Sequence, residues 1–253
     1  MDWDYGEKGY VLRDYEAFPE GFQHAMYEGT IYPRSDWREL IELGRKNKTR
    51  PMDWHVGKGQ RVLQQGRLGF CWAYGTISSM ITAYSMSGIG DPYPDLNPHS
   101  TAAMGKRYRN QGGFAIEATR FVEKYGVSEY KYWPGHSMDR SLEKDPKVIA
   151  SCKKHKLFKF NELPREDFDA VMSSLIAPDA RPTTLAFSHW RHLVAGLSGN
   201  YRGSGRSIEW GLDFVNSWGT NWGSKGYGTL WGSKAIPFEA VRVEAVKPTV
   251  EGA

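Results

Sequence analysis

Two cysteines, Cys71 and Cys152, occur in 253 residues, so at most one disulfide is available and a scaffold stapled by several is excluded. No stretch approaches the roughly 18 consecutive apolar residues of a membrane-spanning helix. The first residues, Met1 to Glu7, are acidic and lead into no apolar run, so no secretory leader is read there. The expectation is a chain that is cytoplasmic or virion-associated, in a compartment that keeps thiols reduced. Gly 28 and Pro 13 are too few for a collagenous or low-complexity chain. Neither sign of charge dominates: 33 Lys and Arg face 29 Asp and Glu, a net +4 spread along the sequence. Neither nucleic acid nor a membrane is therefore expected as a partner. The one short basic run, Lys153-Lys154-His155-Lys156, reads as a solvated strand edge.

What is present is ordinary apolar content, 40%, and length enough for a sizeable core. Residues 1–50 carry nine aromatics, from Trp3 to Trp37, ten acidic and eight basic side chains, and one helical stretch, Ser35 to Leu43. They read equally as an extended arm with aromatic anchors or as an N-terminal extension that closes part of the core. From residue 51 the pattern changes. Phe70 to Met86 is helical, with Ala73, Ile77, Met80, Ile81 and Tyr84 on one face, and Gly88 and Gly90 break it. Asn97-Pro98 opens a second helix as cap and first residue. Phe114 to Tyr125 forms a third, stopped by Gly126. Beyond Tyr130 the sequence turns to strands: Leu157 to Phe160, Thr183 to Ser188, His192 to Leu197, Ile208 to Val215 and Gly226 to Trp231. A short helix follows Pro164. Helices first and sheet second indicate an α+β fold of two lobes, helical over about 60–130 and β-rich over about 131–245.

The chemistry concentrates in Gln65-Gly66-Arg67-Leu68-Gly69-Phe70-Cys71-Trp72-Ala73-Tyr74. A cysteine in the first turn of a helix meets unpaired N–H groups and the positive end of the dipole. With an imidazolium nearby, such a thiol falls from about 8.5 to roughly 3.5–7.5. Gln65 is placed to aim its amide N–H at the same point as the Cys71 backbone N–H, forming an oxyanion hole. Taken alone, Cys71 is as well explained as an inert core cysteine. A base and its orienter shift that balance. His192 heads the apolar run Leu193 to Leu197, and Asn216 closes the strand Phe214-Val215, 121 and 145 residues beyond Cys71. His189 competes as base. Three residues from His192 on one continuous strand, it would point to the opposite face, which leaves His192 the role.

Four stretches in order resemble the papain-like cysteine peptidases. Asp53-Trp54 precedes Gln65 to Tyr74; Gln111-Gly112-Gly113-Phe114 is followed by Tyr125-Gly126-Val127; His192 and Asn216-Ser217-Trp218-Gly219 complete the set. The separations are close to the roughly 130–150 residues of that group. The resemblance implies a two-lobe fold, a helical N-terminal lobe and an antiparallel β-rich C-terminal lobe with the active site between them. It implies Cys71 as nucleophile, His192 as base and then acid, Asn216 as orienter and Gln65 as oxyanion donor. Gly112, Gly113, Phe114, Leu193 and Trp218 would meet the substrate, a protein or peptide, with no cofactor and no metal. Leu68 stands where relatives carry a disulfide cysteine. Phe70 replaces a small residue and is expected to narrow the cleft, and Cys152 reads as structural.

Residues 1–50 do not resemble the family's helical prosegment. They are expected to pack outside the catalytic domain, residues 51–253, or onto a protein partner, leaving Cys71 accessible. The rival reading is a papain-fold docking component of a larger assembly, such as a virus particle, with weak peptidase activity or none.

Overall fold

The computed structural model describes residues 9–21, 25–88 and 93–248. Trp3, Tyr5, Phe22 and Gly90, used in the reading above, lie outside them. Seven helices are described: α1 (Arg34–Asn47), α2 (Pro51–Gly57), α3 (Cys71–Ser87), α4 (Pro98–Gly105), α5 (Ala115–Tyr125), α6 (Pro146–Lys154) and α7 (Phe168–Ile176). The strands are β1 (His155–Leu163), β2 (Thr183–Phe187), β3 (His192–Arg202), β4 (Glu209–Val215), β5 (Tyr227–Trp231) and β6 (Glu239–Pro248). They form one antiparallel sheet in the order β1-β6-β2-β3-β4-β5.

The alternation of strand side chains decides what each face covers. Ala186, Leu193, Val241 and Val243 pack with α3 and α5. Their neighbours Leu185, Phe187, Val194 and Ala240 turn the other way, toward α1 and α7. Trp37 and Ile41 of α1 are fully buried there, Trp37 against Phe168 and Trp210. Residues 34–47 therefore fold as part of the β-rich half.

α3 is buried from Cys71 to Ser85 on every side, where the sequence pattern suggested one apolar face. Its small and hydroxylated residues explain this. Thr76, Ser79, Thr82 and Ser85 return their hydroxyls to carbonyls four residues back, which satisfies polar groups that cannot reach water. Gly75 lets β3 approach, since a Cβ there would stand 2.6 Å from Leu193 Cδ2. Asn97 caps α4 by accepting from His99 N–H at 3.0 Å. β6 was not read from the sequence, because Glu239, Arg242 and Glu244 interrupt its apolar positions. Arg242 is nonetheless buried, its charge met by Asp179 and Glu244.

Candidate active site

Cys71 is the first residue of α3, so its sulfur lies where N–H groups lack helical partners. The backbone N–H of Leu193 points at the sulfur from β3, and His192 is the residue before it. His192 Nε2 stands 2.7 Å from Asn216 Oδ1, which leaves Nδ1 as the nitrogen that can serve a thiol. Asn216 is held in turn by Ser217 N–H, which donates to the same Oδ1 at 2.8 Å. The Trp218 ring lies 4.4 Å from the imidazole, and Trp190 flanks it at 4.8 Å. The three groups are fully buried.

Gln65 is pinned from both lobes. Its backbone N–H donates to Ser217 C=O at 2.8 Å, its Oε1 accepts from Ser217 Oγ, and its Nε2 donates to Leu68 C=O at 2.8 Å. The amide nitrogen has a second N–H to offer. Sequence reasoning missed Ser217 as the clamp on this glutamine. Gly113 forms the opposite wall; a Cβ there would stand 2.7 Å from the Trp72 ring, so only glycine exposes its backbone at this point.

Three expectations need correction. Leu193 does not line a cleft: its side chain lies against Gly75 in the core, because strand alternation turns it under α3. Phe70 narrows nothing, being fully buried with its ring 5.1 Å from His99. His189 and His192 are not on one strand. Residues 188–191 form the β2–β3 turn, with Arg191 at φ 49°, and His192 is the first residue beyond it.

No protein-family model matches the chain. It is 24% identical to papain of Carica papaya over 229 residues, 84% of this chain and 63% of that protein. It is 27% identical to a cysteine proteinase of Theileria parva over 195 residues, 70% of this chain and 42% of that protein. The chain thus spans less than two thirds of the curated relatives it matches. Recombinant stem bromelain precursor superposes with a TM-score of 0.62 at 18% identity, over 97% of this chain and 85% of that one. The fold is papain-like.

The papain-like cleft is occupied by the chain's own arm. Gly113 N–H donates to Gly9 C=O at 2.9 Å, Val11 N–H donates to Gly113 C=O at 3.0 Å, and Tyr10 N–H donates to Arg191 C=O at 3.3 Å. Residues 9–11 thus pair with both walls. Tyr10 is buried, Phe114 packs on Phe18 at 5.5 Å, and a Cβ on Gly9 would stand 1.9 Å from Gly69 C=O. The expectation that the arm leaves Cys71 accessible is overturned. Its thiol is pushed up to about 12 by burial, partly offset by backbone N–H groups of Leu193, Gly9, Trp72 and Cys71 itself. The lowered thiol expected from the helix start is therefore reversed while the arm is seated: desolvation exceeds the dipole.

Arg13 fastens the arm. Its guanidinium is buried, donates to Phe18 C=O at 2.7 Å and to Glu162, and stands 3.9 Å from Glu239. Glu239 accepts from Ala115 and Ile116 N–H at the start of α5. Burial raises this carboxyl to about 7. Among the described residues no group of three metal ligands occurs, both cysteines are free, and no helix is long and apolar enough to cross a membrane.

Proposed function

We propose that the chain is a cysteine endopeptidase held shut by its own N-terminal arm. The observation that carries this reading is the His192 Nε2–Asn216 Oδ1 contact of 2.7 Å beside the buried start of α3. With the arm displaced, water and the imidazole reach the Cys71 sulfur, and the desolvation that holds its proton is relieved. Nδ1 of His192 then takes the thiol proton, and the thiolate attacks the scissile carbonyl carbon. The second N–H of Gln65 Nε2 and the Cys71 backbone N–H donate to the developing oxyanion. His192 returns the proton to the leaving amine, giving an acyl-enzyme thioester. Water, deprotonated by the same imidazole, hydrolyses it and restores the thiol. Trp218 lies across the imidazole and keeps water from the Asn216 contact.

Gly112-Gly113 offers a strand-like edge to an extended substrate, and the seated arm illustrates the fit. The Gly9 N–H points at the sulfur. Peptide mapping after iodoacetamide at neutral pH tests the reading in a chain whose arm has been displaced. Cys71 alkylates many times faster than Cys152; equal rates would remove the activated nucleophile.

A further inference from the structure

We propose that the cavity between α5 and α6 is a binding site for a small amphipathic anion, an apolar body bearing one carboxylate, sulfonate or phosphate head. Its volume is about 580 Å³, within the range of small-molecule sites. Its apolar lining includes Met104, Phe121, Val148 and Cys152. Ile149 and Tyr125 stand 41% and 50% exposed beside it. Such surface in an open hollow costs free energy that a ligand's apolar body recovers.

Charge sets the sign of the head. Arg107, Lys124, Lys153 and Lys156 line the same cavity, against one acid, Glu143. Glu143 accepts from Tyr108 Oη at 3.0 Å. Lys156 donates to Lys124 C=O at 2.7 Å, and the Lys124 ammonium lies 5.1 Å from the Tyr125 ring. These contacts hold both cations at the rim, so less freedom is lost when an anion arrives. The basic run at 153–156 is thus more than a solvated edge: Lys153 and Lys156 face this hollow across the end of α6.

Backbone strain at the rim is independent support. Arg107 and Tyr108 adopt φ 51° and 63° in succession, a conformation unfavourable for two adjacent side-chain-bearing residues. Tyr108 N–H bonds back to Ala103 C=O at 2.7 Å. The kink turns the chain sharply after α4 and sets Arg107 at the cavity mouth. Strain of this kind is kept where the surroundings impose it, and it gathers at ligand clamps.

The test is titration of the full chain with 8-anilinonaphthalene-1-sulfonate, followed by displacement with decanoate and with decyltrimethylammonium, which pairs the same tail with a cationic head. The expected result is saturable one-to-one binding, displaced by decanoate and not by the cationic amphiphile. Lys153→Glu/Lys156→Glu weakens it at least about tenfold with unchanged thermal unfolding, as does Arg107→Glu at the exposed mouth. Absence of saturable binding, equal displacement by both amphiphiles, or affinities within about twofold in both charge-reversal variants would overturn the proposal. Neither peptidase activity nor the arm enters the readout.

Discussion

Replacing Arg13 by methionine tests how the arm is held. The substitution keeps most of the side-chain volume and removes a guanidinium that reaches Phe18 C=O, Pro19 C=O and Glu162. Glu162 would then remain buried with Gly21 N–H, at 2.9 Å, as its polar contact from the arm. Breaking a buried ion pair on one side costs about 3–5 kcal/mol. That cost falls on the arm-seated state, because displacement lets water reach Glu162. At about 1.4 kcal/mol per decade, the population with an open cleft rises by roughly two to nearly four powers of ten. The assay is the alkylation rate of Cys71 at pH 7.5, read by peptide mapping with Cys152 as internal reference. A rate within about twofold of the unsubstituted chain would refute the assignment of Arg13 as the fastening, because the rate follows the open population.

Three further outcomes follow from the same contacts. Gly9→Ala puts a Cβ 1.9 Å from Gly69 C=O; overpacking of this size costs about 1–3 kcal/mol, so Cys71 alkylation rises about fivefold or more, and an unchanged rate would remove Gly9 from the cleft. Glu239 keeps its proton to about 7, against an ordinary 4.5. The folded state therefore holds a proton the unfolded chain has lost, and this carboxyl's contribution to stability falls as pH rises through that window, by at most about 3 kcal/mol. Burial holds His55 and His99 down at about 4, which gives the opposite slope, so urea unfolding at pH 5 and pH 7.5 reads the Glu239 contribution as the difference between the unsubstituted chain and Glu239→Gln. On the Arg13→Met background, Gln65→Ala lowers kcat about 10²–10³-fold, the usual loss for one oxyanion donor; steady-state peptide hydrolysis checks it, and an unchanged kcat assigns that donation elsewhere.

The candidate site was largely legible because its chemistry is written in short segments. Cys71 at a helix start, the Gln65 loop, and His192 and Asn216 at strand ends each carry a local pattern that alone is ambiguous; their order along the chain, through the family resemblance, suggested the roles, and the fold supplied the His192–Asn216 contact. The strands with clean alternation were legible too. β6 was hidden because a central strand carries buried Glu239 and Arg242, whose partners come from distant segments. Leu193 was misassigned because adjacency to His192 in sequence means the opposite face in a strand. The arm was the largest loss. Its seat depends on Gly9 meeting Gly113 and on Arg13 meeting Glu162, 149 residues away. No local pattern encodes such pairings. α1 likewise belonged to the β-rich half through Trp37, a contact that composition could not assign.

The most direct measurement is hydrolysis of a fluorogenic peptide by the Arg13→Met chain, beside the same chain carrying Cys71→Ser and beside the unsubstituted protein. The account predicts turnover in the first, none in the second, and a rate at least about a hundredfold lower in the third, as the loss of a buried ion pair requires. An Arg13→Met chain that is folded and alkylates readily at Cys71 yet cleaves nothing, or a Cys71→Ser chain that still cleaves, would contradict it.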